Sequence, residues 1–221
     1  MTSQLKYSPV THLFVALNCL VFLLMYVVSG GLVEDARLLI QFGALYPPLI
    51  QWDLGQSYRL FSAIFVHIGF MHFFANTLTI YFLGQQIERL YGSVRFFWIY
   101  LLTGLMGNLF CLVFSPDAIV AGSSTSIFGL FTILVVLRWL PNPYLQYLGQ
   151  SYLPLLLMNL VFSLAPGVSL AGHLGGLVGG ACLALVLPLA PYGLVHGRQG
   201  QVLGAGLYLG LALLFLASVL S

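Results

Sequence analysis

Apolar residues run almost unbroken over 12–28, and about 20 such residues suffice to cross the hydrocarbon core of a bilayer. Lys6 ahead of this stretch gives it the look of a signal sequence, but it is too long and lacks a small-residue cleavage site, so it reads as a retained first span. Residues 31–59 break the pattern with Glu34, Asp35, Arg37, Pro47, Pro48, Trp52 and Asp53. That segment is too polar and too proline-rich to cross lipid and is expected to form a long external loop. Apolar character then resumes over 60–83, interrupted by His67 and His72, with helix signals continuing to residue 90. One span needs less, so the part up to residue 68 is expected at the membrane interface and span two over 69–90. Further spans are expected over 94–114, 124–139, 152–165, 171–187 and 201–220, giving seven. Span five is short and carries Pro154 and Asn159, which makes it the least rigid helix expected. The fold class is therefore all-α, a polytopic transmembrane helical bundle, with one membrane domain over 1–221, a core over 12–188 and an extra C-terminal helix.

Composition strengthens this picture. Apolar residues make up 60% of the 221 and charged residues 5%, where soluble domains carry about 25% charge. Mean hydropathy is +1.02, which excludes a soluble fold. Cys19, Cys111 and Cys182 are odd in number, far apart and set in apolar stretches, fitting small packing residues better than a disulfide framework. The net charge of +2 forms no basic stripe, so nucleic acid is not an expected partner. Counting alternate loops puts Lys6, Arg89, Arg95, Arg138 and Arg198 on one side and only Arg37 and Arg59 on the other. The positive-inside rule makes the first side cytoplasmic, with the N-terminus inside and the C-terminus and long loop outside.

Ionisable residues within lipid are costly and mark functional candidates. His72 and Asn76 lie near the start of span two, Ser124 of span four and His173 of span six. All three spans are even-numbered and run from outside to inside, so these groups share a depth in the outer half of the membrane. His72 and Asn76, four apart, occupy one helix face and can offer two donors to one point; bonding to neighbouring helices would also explain them. Ser124 follows Gly122 and Ser123 at a helix start, where serine also serves simply as a cap. His173 borders a stripe of Gly172, Gly176 and Gly180, which lets another helix approach closely enough to bring a hydroxyl within reach of the imidazole. His12 and His196 fall at a span end and in a loop and fit solvated roles. Neither a His-x-x-x-His nor a His-Glu-x-x-His spacing occurs, and no carboxylate lies at this depth, so no metal is expected.

From about residue 58 to 187 the sequence resembles the rhomboid family of intramembrane serine proteases. The family's Gly-x-Ser-x motif, followed by an aromatic and a glycine, is matched by Gly122-Ser123-Ser124-Thr125 with Phe128 and Gly129. Its His-x-x-x-Asn is matched by His72 to Asn76, and its histidine-glycine motif by His173-Leu174-Gly175-Gly176. Tyr58-Arg59 and Glu88 with Gly92 match further features, while Thr125 stands where many members have glycine, a β-branched side chain that can crowd the packing against span six, and its effect is left open.

The resemblance implies a six-helix rhomboid core plus one C-terminal helix. It also implies a Ser124 nucleophile with His173 as general base, without a third acidic member. An oxyanion hole would come from the Ser124 N–H, His72 and Asn76, with Phe128 packed on the His173 ring and Gly122 supporting the turn. A neutral imidazole, of ordinary pKa about 6.5, can accept the serine proton at neutral pH. Water for deacylation implies a hydrated cavity opening outward under an external loop. The expected substrates are single-span transmembrane proteins that enter sideways, unwind locally and are cleaved near the extracytoplasmic face, in a bacterial cell membrane and without a cofactor. Span five is the expected gate, and the oligomeric state is left open. Two other readings are an inactive rhomboid-like protein that binds membrane clients, and a channel or transporter, whose polar groups would extend through the full depth.

Overall fold

A computed structural model describes residues 8–187, 189 and 198–220; Lys6 and His196 lie outside the described residues. Helix α1, Pro9–Ser29, starts with proline at its first turn, where the missing N–H costs nothing. Its N-terminus is held by a side chain distant in sequence. The Glu88 carboxylate accepts from the Val10 N–H at 3.0 Å, from the Thr11 N–H at 2.8 Å and from the Thr11 hydroxyl at 2.7 Å. It also accepts from the Ser93 hydroxyl at 2.6 Å, so one buried anion joins the positive ends of two helices.

The segment read as a long external loop is built rather than loose. It contains α2 (Ala36–Gln41), α3 (Pro47–Trp52), a 3-10 turn (Leu54–Tyr58) and α4 (Arg59–Ser62). The buried Arg59 guanidinium donates to the Ile40 and Ala44 carbonyls at 2.7 and 3.0 Å, and its Nε to Gln56 at 2.9 Å, which ties three of these pieces together. Leu45 and Val120 exchange backbone hydrogen bonds of 2.9 and 2.8 Å. Asn108 donates to the Leu60 carbonyl at 2.8 Å. The loop therefore braces the stretch that leads into span four.

The helices at the expected spans are α5 (Gly69–Tyr91), α6 (Ser93–Phe114), α7 (Ser124–Val136, continued by a 3-10 turn over Leu137–Trp139), α8 (Pro143–Phe162), α9 (Leu170–Val186) and α10 (Arg198–Leu220). α1, α6 and α10 are long and apolar enough to cross a membrane, and α7 and α9 are shorter apolar helices. Leu, Val and Phe side chains stand exposed along α1, α8 and α10, as lipid-facing surfaces require. The protein is an integral membrane protein built as a helical bundle.

The fifth span differs most from the expectation of 152–165. α8 starts at Pro143, where the Asn142 side chain accepts from the Leu145 N–H at 3.1 Å. Gln146, Gln150 and Ser151 make this half read as a loop, yet a cap followed by proline is a strong helix start. Pro154 is held inside the continuous helix.

α9 packs most intimately, and glycine explains how. Gly172, Gly176 and Gly180 face α7, where a β-carbon on Gly176 would strike the Thr125 carbonyl and one on Gly180 the Gly129 carbonyl. A second stripe, Gly175 and Gly179, faces Phe110 and Met106 on α6. Two small-residue faces on one helix draw α6 and α7 together around it.

Candidate active site

Ser124 is the first residue of α7, and the turn before it is held from several sides. The Gly122 N–H donates to the Ala63 carbonyl at 2.9 Å, and Gly122 has φ +122°, a conformation that L side chains rarely adopt. The His72 ring lies directly over its α-carbon: a β-carbon there would stand 2.5 Å from His72 Cε1. Behind the turn, His67 Nδ1 lies 3.1 Å from the Phe65 carbonyl, which can only accept, so Nδ1 carries the proton. His67 Nε2 then accepts from the Ser123 hydroxyl at 3.1 Å. Burial, with a smaller effect of His72, pushes His67 down to about 3, which keeps the ring neutral in this role.

The close approach of α7 and α9 brings His173 Nε2 to 2.9 Å from Ser124 Oγ. Phe128, one turn beyond Ser124, stacks on the imidazole with ring centroids 4.1 Å apart and planes at 17°. Thr125 does not crowd this interface. Its side chain is buried against Gly107 on α6 and Gly172 on α9, so glycines opposite take up the volume that glycine at 125 would have spared.

His72 is half-buried and Asn76 buried, on the α5 face toward Ser124. The Ile68 N–H donates to His72 Nδ1 at 3.4 Å, which leaves the hydrogen on Nε2 as a free donor. One Asn76 amide hydrogen goes to the His72 carbonyl at 2.9 Å, leaving the second available. His72, Asn76, Ser124, Phe128 and His173 line one cavity of about 390 Å³, roofed by Pro166, Gly167, Val168 and Ser169 from the connection between α8 and α9. His72, Asn76, Ser124, Phe128 and His173 thus meet around one cavity, with Gly122 against the His72 ring. Among the described residues no three His, Cys, Asp or Glu side chains gather as a metal site would require.

Two further residues stand at the site without having been expected there. Ser163, at the C-terminal end of α8, places its hydroxyl 2.6 Å from His173 Nδ1. Asn159 on α8 contributes to the cavity wall. Their positions at the end of a helix whose start was misjudged left only one signal, a serine and an asparagine four apart near a span end.

A hydroxyl bonded to an imidazole in a cavity among apolar helices can act as a nucleophile and base pair. Residues 54–189 match the Rhomboid domain family. Rhomboid protease GluP of Bacillus subtilis is 37% identical over 93% of this chain and 39% of its own length. Rhomboid-like protease 1 of Toxoplasma gondii is 34% identical over 70% of this chain and 55% of its own length. The putative rhomboid protease YdcA of Bacillus subtilis is 30% identical over 60% and 68%, respectively. The chain spans little more than a third of GluP and about half of the Toxoplasma relative. With the family's domain matched over residues 54–189, more than half of its length, the chain belongs to the rhomboid family.

Proposed function

We propose that this protein is an intramembrane serine endopeptidase in which Ser124 attacks the scissile carbonyl and His173 is its general base. The observation that carries the proposal is the 2.9 Å contact between Ser124 Oγ and His173 Nε2 inside the cavity. As Oγ bonds to the carbonyl carbon, its proton passes to Nε2. The tetrahedral oxyanion takes hydrogen bonds from His72 Nε2–H, the second Asn76 amide hydrogen and the Ser124 N–H, one of the first helical N–H groups that have no partner within their helix. His173 next protonates the departing amine, and the acyl-enzyme is released by water that His173 deprotonates. The stacked Phe128 ring holds the imidazole in plane for both transfers. Protease names among the relatives support the same chemistry.

Substrates in this reading are single-span transmembrane proteins, cut near the extracytoplasmic face, which the count of basic residues assigns to the Ser124 end of α7. They reach the cavity laterally between α5 and α8. α8 packs on α7 and the 3-10 turn after it and makes no extensive contact with α5, so that seam is the thin wall of the bundle. Labelling with a fluorophosphonate, read by peptide mass spectrometry, tests the assignment. Modification of Ser124 that disappears in His173→Ala is expected; labelling at Ser123 or Ser126, or none, would overturn it.

A further inference from the structure

His173 has a second nitrogen, and the hydroxyl that meets it comes from a helix outside the Ser124 and His173 pair. Ser163 caps α8, is 2% exposed, and has two polar neighbours. Its Oγ lies 2.8 Å from the Asn159 carbonyl and 2.6 Å from His173 Nδ1. A carbonyl oxygen can only accept, so the single hydroxyl hydrogen of Ser163 points to Asn159. Only a lone pair then remains for Nδ1, which must bear the imidazole proton and donate it. A neutral imidazole has one N–H, so Nε2 is left unprotonated and faces Ser124 Oγ at 2.9 Å.

We infer that Ser163 is a positioning residue for this reaction, holding His173 as the tautomer with an unprotonated Nε2, in the place where a soluble triad uses a carboxylate. The inference rests on the proposed protease reading. The uncharged hydroxyl suits the setting, since a carboxylate buried here among apolar helices would cost far more to desolvate. It also stabilises the imidazolium formed after proton transfer, because the bond from Nδ1–H strengthens as the ring becomes positive. The anchor belongs to α8, whereas Ser124 and His173 belong to α7 and α9, so the catalytic pair is complete only while the end of α8 is seated. Displacement of that end to admit a substrate removes the acceptor from Nδ1 and idles the base until α8 returns.

The test uses the full chain, purified and reconstituted with a single-span substrate, and compares wild type with Ser163→Ala, Ser163→Thr and Ser124→Ala. Loss of one buried hydrogen bond predicts a fall in kcat of about ten- to a hundredfold in Ser163→Ala with KM unchanged, and recovery of most of it in Ser163→Thr, which keeps the hydroxyl. Nitrogen-15 NMR of ring-labelled histidine should place the His173 proton on Nδ1 in wild type and show it redistributed toward Nε2 in Ser163→Ala. A Ser163→Ala kcat within about threefold of wild type, while Ser124→Ala is inactive, overturns the inference and leaves the protease reading standing. If Ser163→Ala does not fold, the wild-type spectrum decides: a proton on Nε2 overturns it. Absence of cleavage by wild type sinks the protease reading instead, and the tautomer still reports whether Ser163 orients the ring.

Discussion

Replacing Gly122 with alanine puts a methyl group where the His72 ring now lies. The new β-carbon would stand 2.5 Å from Cε1 and 2.8 Å from Nε2, whereas ordinary contact begins at 3.4 Å, so the ring must retreat by the difference of about 0.9 Å. The turn has a second reason to resist, because alanine at φ +122° carries backbone strain of order 1–3 kcal/mol. Both effects act on the turn that lies under the His72 ring and leads into Ser124. Misplacing a catalytic group by an ångström costs about 10² in rate, and removing one oxyanion donor outright costs about 10² to 10³. Gly122→Ala should therefore lower kcat by about 10² to 10³ while the protein remains folded, with Tm reduced by roughly 2–4 °C per kcal/mol of strain. Cleavage kinetics on reconstituted protein, with thermal unfolding alongside, measure the two quantities. Turnover within about threefold of wild type would refute the placement of His72 as an oxyanion donor braced by Gly122.

Phe128→Leu keeps apolar volume but loses the stacked ring, and should lower kcat about two- to tenfold, the worth of one aromatic contact; an unchanged kcat would show that stacking does not orient His173. Gly176→Ala forces a β-carbon onto the Thr125 carbonyl, so α9 must shift, and thermal unfolding should report a destabilisation of about 1–3 kcal/mol together with lost labelling of Ser124. Glu88→Ala leaves the Val10 and Thr11 N–H groups without their acceptor and should cost about 2–3 kcal/mol in unfolding experiments, while kcat at a temperature where the variant stays folded is retained.

Much of this architecture was legible because a bilayer imposes simple rules. Span one and spans two, three, four, six and seven could be placed from apolar run length, and their helices start or end within a few residues of the expected positions. His72, Asn76, Ser124 and His173 stood out because polar groups in lipid are costly, and helix parity set them at one depth. Span five was misread where amphipathic residues at an interface resemble a loop. Gln146, Gln150 and Ser151 masked the start that Asn142 and Pro143 mark. The consequence was local but important, since Ser163 at the far end of that helix meets His173 across the turn joining α8 to α9, a contact no spacing rule suggests. The bracing by Arg59, Asn108 and the Leu45 to Val120 pairing was hidden for the same reason: each is a hydrogen bond between segments far apart in sequence. How Thr125 would pack could not be read in advance, because a sequence shows what stands at a position and not the Gly107 and Gly172 that lie opposite its side chain.

The central claim is that Ser124, activated by His173, cuts a peptide bond within the membrane. Its most direct test is proteoliposome cleavage of a single-span substrate, with wild type, Ser124→Ala and His173→Ala reconstituted at equal, folded amounts. Wild type should release two fragments cut near the extracytoplasmic end of the substrate's span, and both variants should release none above background. Equal cleavage by Ser124→Ala, or no cleavage by folded wild type, would contradict the account.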